Sequence, residues 1–163
     1  MSLQEAYRLG LDLEKLEKAF VQLPDGFRKN QHVLEGYRTA VYVVPLLYSS
    51  HEYLFTTITI GNIIQNLLEV VDRSPNTGPT TKAKRLDLNV SFEEIMINNQ
   101  SRIFDFEYFW HNVRSKFAHV TMLSRYGIEE PSPETARKSV GLLCVFLKEY
   151  PARVARLGDE TTT

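Results

Sequence analysis

Arg114 and His119 flank Ser115-Lys116-Phe117-Ala118 in a stretch that otherwise patterns as an amphipathic helix. The planar fork of an arginine holds phosphate oxygens, and an imidazole exchanges a proton near neutral pH. Metal-free RNA cleavage requires both roles, because a ribose 2′-hydroxyl attacking its own phosphate must lose a proton while negative charge builds on the phosphate. On a wheel of about 100° per residue, Phe106, Phe109, Trp110, Val113, Phe117 and Val120 share one arc of roughly 100°. Glu107, His111, Asn112, Arg114, Ser115, Ala118 and His119 fall on the opposite side. A shallow polar groove is expected there, with Lys116 close by. A straight helix sets Arg114 and His119 about 140° apart and about 7.5 Å along its axis. They converge only if the helix loosens near Ala118 or a second copy of the chain supplies a matching set across a two-fold axis. In a dimer two histidines divide the roles of base and acid, and Asn112 orients either ring.

Helices must carry these residues, and the punctuation of the chain sets their limits. Ser2 with Glu5 forms a capping box, and Leu9, Leu13, Leu16 and Phe20 recur at helical spacing, so a first helix is expected over about 3–21. Leu23-Pro24-Asp25-Gly26 is a turn signal. The stripe Leu34, Tyr37, Val41, Val44 and Tyr48 predicts a second helix that Pro45 kinks or ends. From Glu52 to Asp72, Leu54, Ile58, Gly61, Ile64, Leu68 and Val71 keep helical spacing, while residues 56–60 carry strand propensity. Length favours helix, with a strand over 54–60 as the alternative.

Residues 74–88 hold two prolines, a glycine and no apolar period, which predicts a long mobile loop. Ser91 with Glu94 reads as a second capping box, opening a short helix that ends near Asn99. The helix bearing Arg114 and His119 comes next, from about Asp105 to Val120. Ser132-Pro133-Glu134 opens a closing helix whose core face is Ala136, Val140, Leu143, Leu147 and Tyr150. Pro151 should end it, and residues 158–163 read as a frayed, disordered tail. The whole, residues 1–163, is expected to be one all-α domain, a bundle of four to six helices.

The run Arg114-Ser115-Lys116-Phe117-Ala118-His119, with an aromatic-rich helix before it and a capped helix after it, resembles the motif region of HEPN domains. Their signature is an arginine, a polar residue, a short spacer and a histidine near a helix end. The resemblance covers about residues 103–150, and the upstream helices agree in class alone. It implies a HEPN-like helical bundle that forms a homodimer with a paired site. It also implies metal-independent endoribonuclease activity in a toxin–antitoxin or defence system, leaving a 2′,3′-cyclic phosphate. Arg114 would then stabilise the scissile phosphate and His119 would act as base or acid. Ser115 departs from the asparagine, aspartate or histidine often found there. The alternative is a non-catalytic dimerisation or partner-binding module, with a nucleotidyltransferase-like antitoxin as the kind of partner such proteins often have.

Composition narrows the classes further. With 43% apolar and 24% charged residues and a net charge of −1, the 163-residue chain is an ordinary globular protein, ill suited to coating nucleic acid at large. Basic residues cluster locally, at Lys82, Lys84 and Arg85 and again at Arg114 and Lys116. One cysteine, Cys144, inside an apolar run fits a buried thiol and a cytoplasmic setting. The amino terminus lacks a signal-peptide pattern and the apolar run 40–48 is too short for a bilayer, so no membrane association is expected. Histidine spacing offers no metal set, and neither a dinucleotide fingerprint nor a P-loop occurs, so no cofactor is expected.

Overall fold

A computed structural model describes residues 13–117 and 130–161. The elements in order are α1 (Leu13–Val21), α2 (Asp25–Arg28), α3 (Gln31–Tyr42), α4 (Val44–Ser49), α5 (Tyr53–Val71) and α6 (Pro79–Arg85). An antiparallel hairpin, β1 (Ser91–Ile97) and β2 (Gln100–Asp105), leads into α7 (Phe106–Phe109), a π-helical turn (Trp110–Arg114) and α8 (Ser115–Phe117). The last element is α9 (Pro133–Thr161). The protein is predominantly helical, an all-α bundle decorated by one small hairpin.

Helix α5 lies at the centre, against α9, α3, α4, α6 and the π-helical turn. Ile60, Ile64, Leu67 and Leu68 are fully buried along it, and the described residues share one hydrophobic cluster. Among the described residues α5 is the one helix long and apolar enough to cross a membrane. Here its neighbours cover its apolar face, and Asn62, Asn66 and Glu69 stay exposed. Its β-branched run is helical because tertiary burial overrides local propensity. The buried hydroxyls are accommodated inside the helix: Thr56 Oγ1 donates to the Glu52 carbonyl at 2.7 Å and Thr57 Oγ1 to the Leu54 carbonyl at 2.9 Å.

Pro45 ends the preceding helix as expected: α3 stops at Tyr42, and α4 begins at Val44 with Pro45 in its first turn, where no N–H is missed. Three expectations fail, each for a local physical reason. The expected loop 74–88 contains α6, because Gly78-Pro79 is a helix start and a seven-residue helix needs no apolar period to bury Ala83 and Lys82. Residues 91–99 form no helix. Asn98 and Asn99 both take positive φ, the geometry of a two-residue hairpin turn, and Ile95, Ile97 and Ile103 suit the strands on either side.

The third failure concerns Pro151, which lies inside α9 rather than ending it, with helix continuing to Thr161 across most of the expected tail. A proline cannot donate to the carbonyl four residues back, so the Leu147 carbonyl loses its helical partner. Tyr37 on α3 replaces it, its hydroxyl donating to Leu147 O at 2.8 Å. A reciprocal brace runs from Tyr150 to the Leu67 carbonyl of α5, also at 2.8 Å. Burial pushes both phenols far above their ordinary pKa, for Tyr37 with help from Tyr150, so both remain donors. Burial also pushes the Cys144 thiol up to about 12, which makes it an inert core group.

The hairpin is fastened to α9 through a β-bulge between Ser91 and Glu94, with Glu93 at φ 60°. There Phe92 packs so tightly on Gly141 that a Cβ would sit 2.3 Å from its ring. Glu93 pairs with Arg137 at 2.8 Å and with the buried Lys138 at 3.4 Å. The Arg137 hydrogen bond, ahead of its charge, holds the Glu93 carboxyl below its usual range.

The Tyr37–Leu147 bond carries a double-mutant prediction. Tyr37→Phe should cost about 1–3 kcal/mol in urea unfolding, since it strands a buried carbonyl. In a Pro151→Ala background, where the helix can supply its own donor, the same substitution should cost clearly less. Equal costs in both backgrounds would mean that the proline and the tyrosine are uncoupled.

Candidate functional site

The helical run carrying the expected site is set in place at its start by three consecutive N–H groups. Phe106 N donates to Val90 O at 2.9 Å, Glu107 N to Asn89 Oδ1 at 2.9 Å and Tyr108 N to Asp105 Oδ1 at 2.8 Å. Asn89 Nδ2 ties back to Asp105 Oδ2 at 3.2 Å, so the cap is a closed unit. The expected start near Asp105 holds. Phe106, Phe109, Trp110 and Val113 are buried, as the wheel requires, while His111, Asn112, Ser115 and Lys116 are exposed.

Arg114 departs from the wheel. Over Trp110–Arg114 the helix is a π-turn, with Ser115 N bonded to Trp110 O five residues earlier, while the expected loosening near Ala118 lies outside the described residues. An extra residue in the turn rotates the downstream side chains back by up to about 100°, which turns Arg114 from the edge of the polar arc toward the core. Its stem lies on α5 at Gly61, where a Cβ would come within 2.6 Å of Arg114 Cγ. Its Cζ sits 4.3 Å from the centroid of the Trp110 ring. Arg114 Nε is buried without a hydrogen-bond partner, and no carboxylate pairs with the guanidinium among the described residues. A cation–π contact of about 0.5–2 kcal/mol therefore holds a cation that no carboxylate neutralises among the described residues.

His111 and Asn112 open onto a different place, a cleft of about 400 Å³ between the helix and the hairpin that Ser101, Arg102 and Tyr108 also line. Asn112 Nδ2 donates to Tyr108 O at 3.2 Å, which fixes its amide along the helix. Burial raises the Tyr108 pKa, against the opposing charge of Arg102. Glu107 at the rim bonds to Lys84 of α6, and that hydrogen bond lowers its carboxyl below its usual range. Arg102 thus supplies positive charge beside the exposed imidazole of His111, and the cleft offers a cation, an imidazole and hydroxyl and amide groups at one opening.

Of the expected site residues, the structure brings His111 and Asn112 together. It sets Arg114 against α5 and does not place it in their cleft. The polar arc of the wheel is divided between Arg114 and the pair His111 and Asn112, because the wheel assumes a constant pitch and the π-turn breaks it. His119 lies outside the described residues. Trp110, on the apolar arc of the wheel, is core, and its ring face is covered by Arg114. Sequence reasoning missed Gly61, Arg102, Tyr108 and Ser101 as neighbours. Two signals pointed that way: the i,i+4 spacing of Trp110 and Arg114, and a lone glycine within a long Ile- and Leu-rich helix. No protein family, curated protein or solved structure matched the chain in comparison.

Arg114 is expected to contribute little to stability. Arg114→Met removes an unsatisfied buried donor, a gain of about 1–3 kcal/mol, and forfeits the ring contact, so urea unfolding should stay within about 1 kcal/mol of wild type. Gly61→Ala should displace the arginine and alter the near-UV circular dichroism of Trp110. A loss above about 2 kcal/mol in Arg114→Met would show the arginine to be a structural element instead.

Proposed function

We propose that this protein acts on RNA as a HEPN-type metal-independent endoribonuclease, working as a homodimer in the cytoplasm. The observation that carries the reading is Arg114: a guanidinium seated on Gly61 and Trp110 that no carboxylate neutralises among the described residues. Such a group binds a phosphate oxygen without first breaking an ion pair. In the reaction, His119 takes the proton of a ribose 2′-hydroxyl, and the oxygen attacks the adjacent phosphorus. The 5′-oxygen then leaves with a proton from His119 of the partner subunit. The products are a 2′,3′-cyclic phosphate and a free 5′-hydroxyl, and no metal or cofactor enters the balance. The cleft at His111 and Asn112, with Arg102, Tyr108 and Ser101, would hold a flanking nucleotide, and Ser115 and Lys116 would contact the backbone near the scissile bond.

A second reading is favoured by a separate observation. Tyr42, Val43, Leu46 and Phe55 are exposed apolar side chains on the end of α3, on α4 and on the first turn of α5. Such a surface suits a non-catalytic dimerisation or partner-binding component of a toxin–antitoxin or defence system, with a nucleotidyltransferase-like antitoxin as one partner.

Incubation of purified protein with RNA in EDTA separates the two readings. The first predicts cleavage with cyclic phosphate ends, reduced at least about 100-fold by Arg114→Ala or His119→Ala. Absence of cleavage, or cleavage unchanged in His119→Ala, sinks the catalytic claim. A stable dimer or complex without turnover supports the second.

A further inference from the structure

Away from Arg114, a cleft of about 330 Å³ opens between the start of α3, the C-terminal half of α5 and α6. Its polar lining is Asn30, His32, Asn66, Glu69, Arg73 and Lys82. Lys82 is the unusual member, with only 6% of its surface exposed. The buried part is its aliphatic stem, while the ammonium opens into the cleft. Among the described residues Lys82 forms no ion pair. The carboxylate nearest in influence, Asp72, is committed elsewhere. It takes Arg85 at 2.8 Å and the Ser74 backbone N–H at 3.1 Å, and the Ser74 hydroxyl bond is the main cause of its lowered pKa.

The remaining groups are also set for an anion. Asn30 spends its Oδ1 on His32 N at 2.9 Å and Val33 N at 3.3 Å, so its amide NH2 is left to donate. In the same stroke it marks the N-terminus of the twelve-residue α3, whose dipole favours negative charge nearby. Arg73 is exposed at the rim and forms no ion pair among the described residues. Glu69, the one carboxylate in the cleft, accepts from Gln65 at 3.4 Å and pairs with neither cation.

We propose that this cleft binds a small phosphate monoester, its dianionic phosphate between Lys82 and Arg73 and a hydroxyl of its organic part on Glu69. Two cations, one a point charge and one a planar fork, match a dianion bearing three terminal oxygens. Asn66 and His32 supply further hydrogen bonds, and the unpaired carboxylate selects an ester over free phosphate. The site is separate from the RNA reading and stands or falls without it.

Calorimetric titration of the full chain with glycerol 3-phosphate, inorganic phosphate and sodium chloride at matched ionic strength tests the proposal. Saturable one-to-one binding of a phosphate is expected, at least tenfold weaker in Lys82→Met and in Arg73→Gln and unchanged in Lys15→Gln. Tighter binding of the ester identifies it as the ligand class; equal binding assigns the site to free phosphate and overturns the role of Glu69. Heats that follow ionic strength alone, or affinity untouched by Arg73→Gln, overturn the site. Because Arg73 is exposed, that variant keeps the test decisive even where Lys82→Met perturbs folding.

Discussion

A nineteen-residue helix with a broad apolar face, beside a polar strip of Asn62, Gln65, Asn66 and Glu69, cannot leave that face in water, and α5 imposes that condition on the elements around it. At roughly 25 cal/mol per Å² of apolar surface, covering residues such as Ile60, Ile64, Leu67 and Leu68 outweighs any local preference of the segments that do the covering. This is why residues 56–60 are helical despite their strand propensity, and why α3, α4, α6 and α9 converge on one axis. The tyrosine braces arise from the same condition. Once α3 and α9 are pressed together, Tyr37 reaches the carbonyl that Pro151 leaves without a partner, and a residue that would end an isolated helix is absorbed.

Coverage of α5 also shapes the candidate site. The π-turn brings Arg114 onto α5 at the one position where a glycine leaves room for its stem. The closing of the cap by Asn89 and Asp105 fixes where that helix begins, so the turn falls between Trp110 and Arg114 rather than further on. Glycine at 61 and tryptophan at 110 thus act together on one guanidinium, from two elements distant in sequence. The hairpin, held to α9 through its bulge, forms the other wall of the cleft at His111.

The two polar openings differ in their electrostatics. At His111 the acidic groups are already engaged, Asp105 in the cap and Glu107 with Lys84. At Lys82 the nearest acid is occupied by Arg85 and Ser74, and the lysine is left facing an open cleft. Both arrangements originate in α6, whose exposed basic residues reach outward to neighbouring carboxylates while Lys82 and Ala83 turn in.

The all-α class, the centre of α5, the break at Pro45, the Asp105 start and the Ser132 cap can all be read along the chain. Each rests on interactions within a few residues: apolar period, proline geometry and side-chain capping, as when Thr135 N bonds Ser132 Oγ at 3.1 Å. The sequence also singles out Arg114, His111 and Asn112. The hairpin was legible in principle, in Asn98-Asn99 between isoleucines, but a coincidental Ser91 and Glu94 pair imitates a capping box. The remaining features depend on contacts between distant segments. Whether Pro151 breaks α9 depends on a hydroxyl 110 residues in sequence from the carbonyl it serves. Which way Arg114 points depends on one extra residue in a helical turn and on a glycine in another helix, and neither contact leaves a periodic trace along the chain.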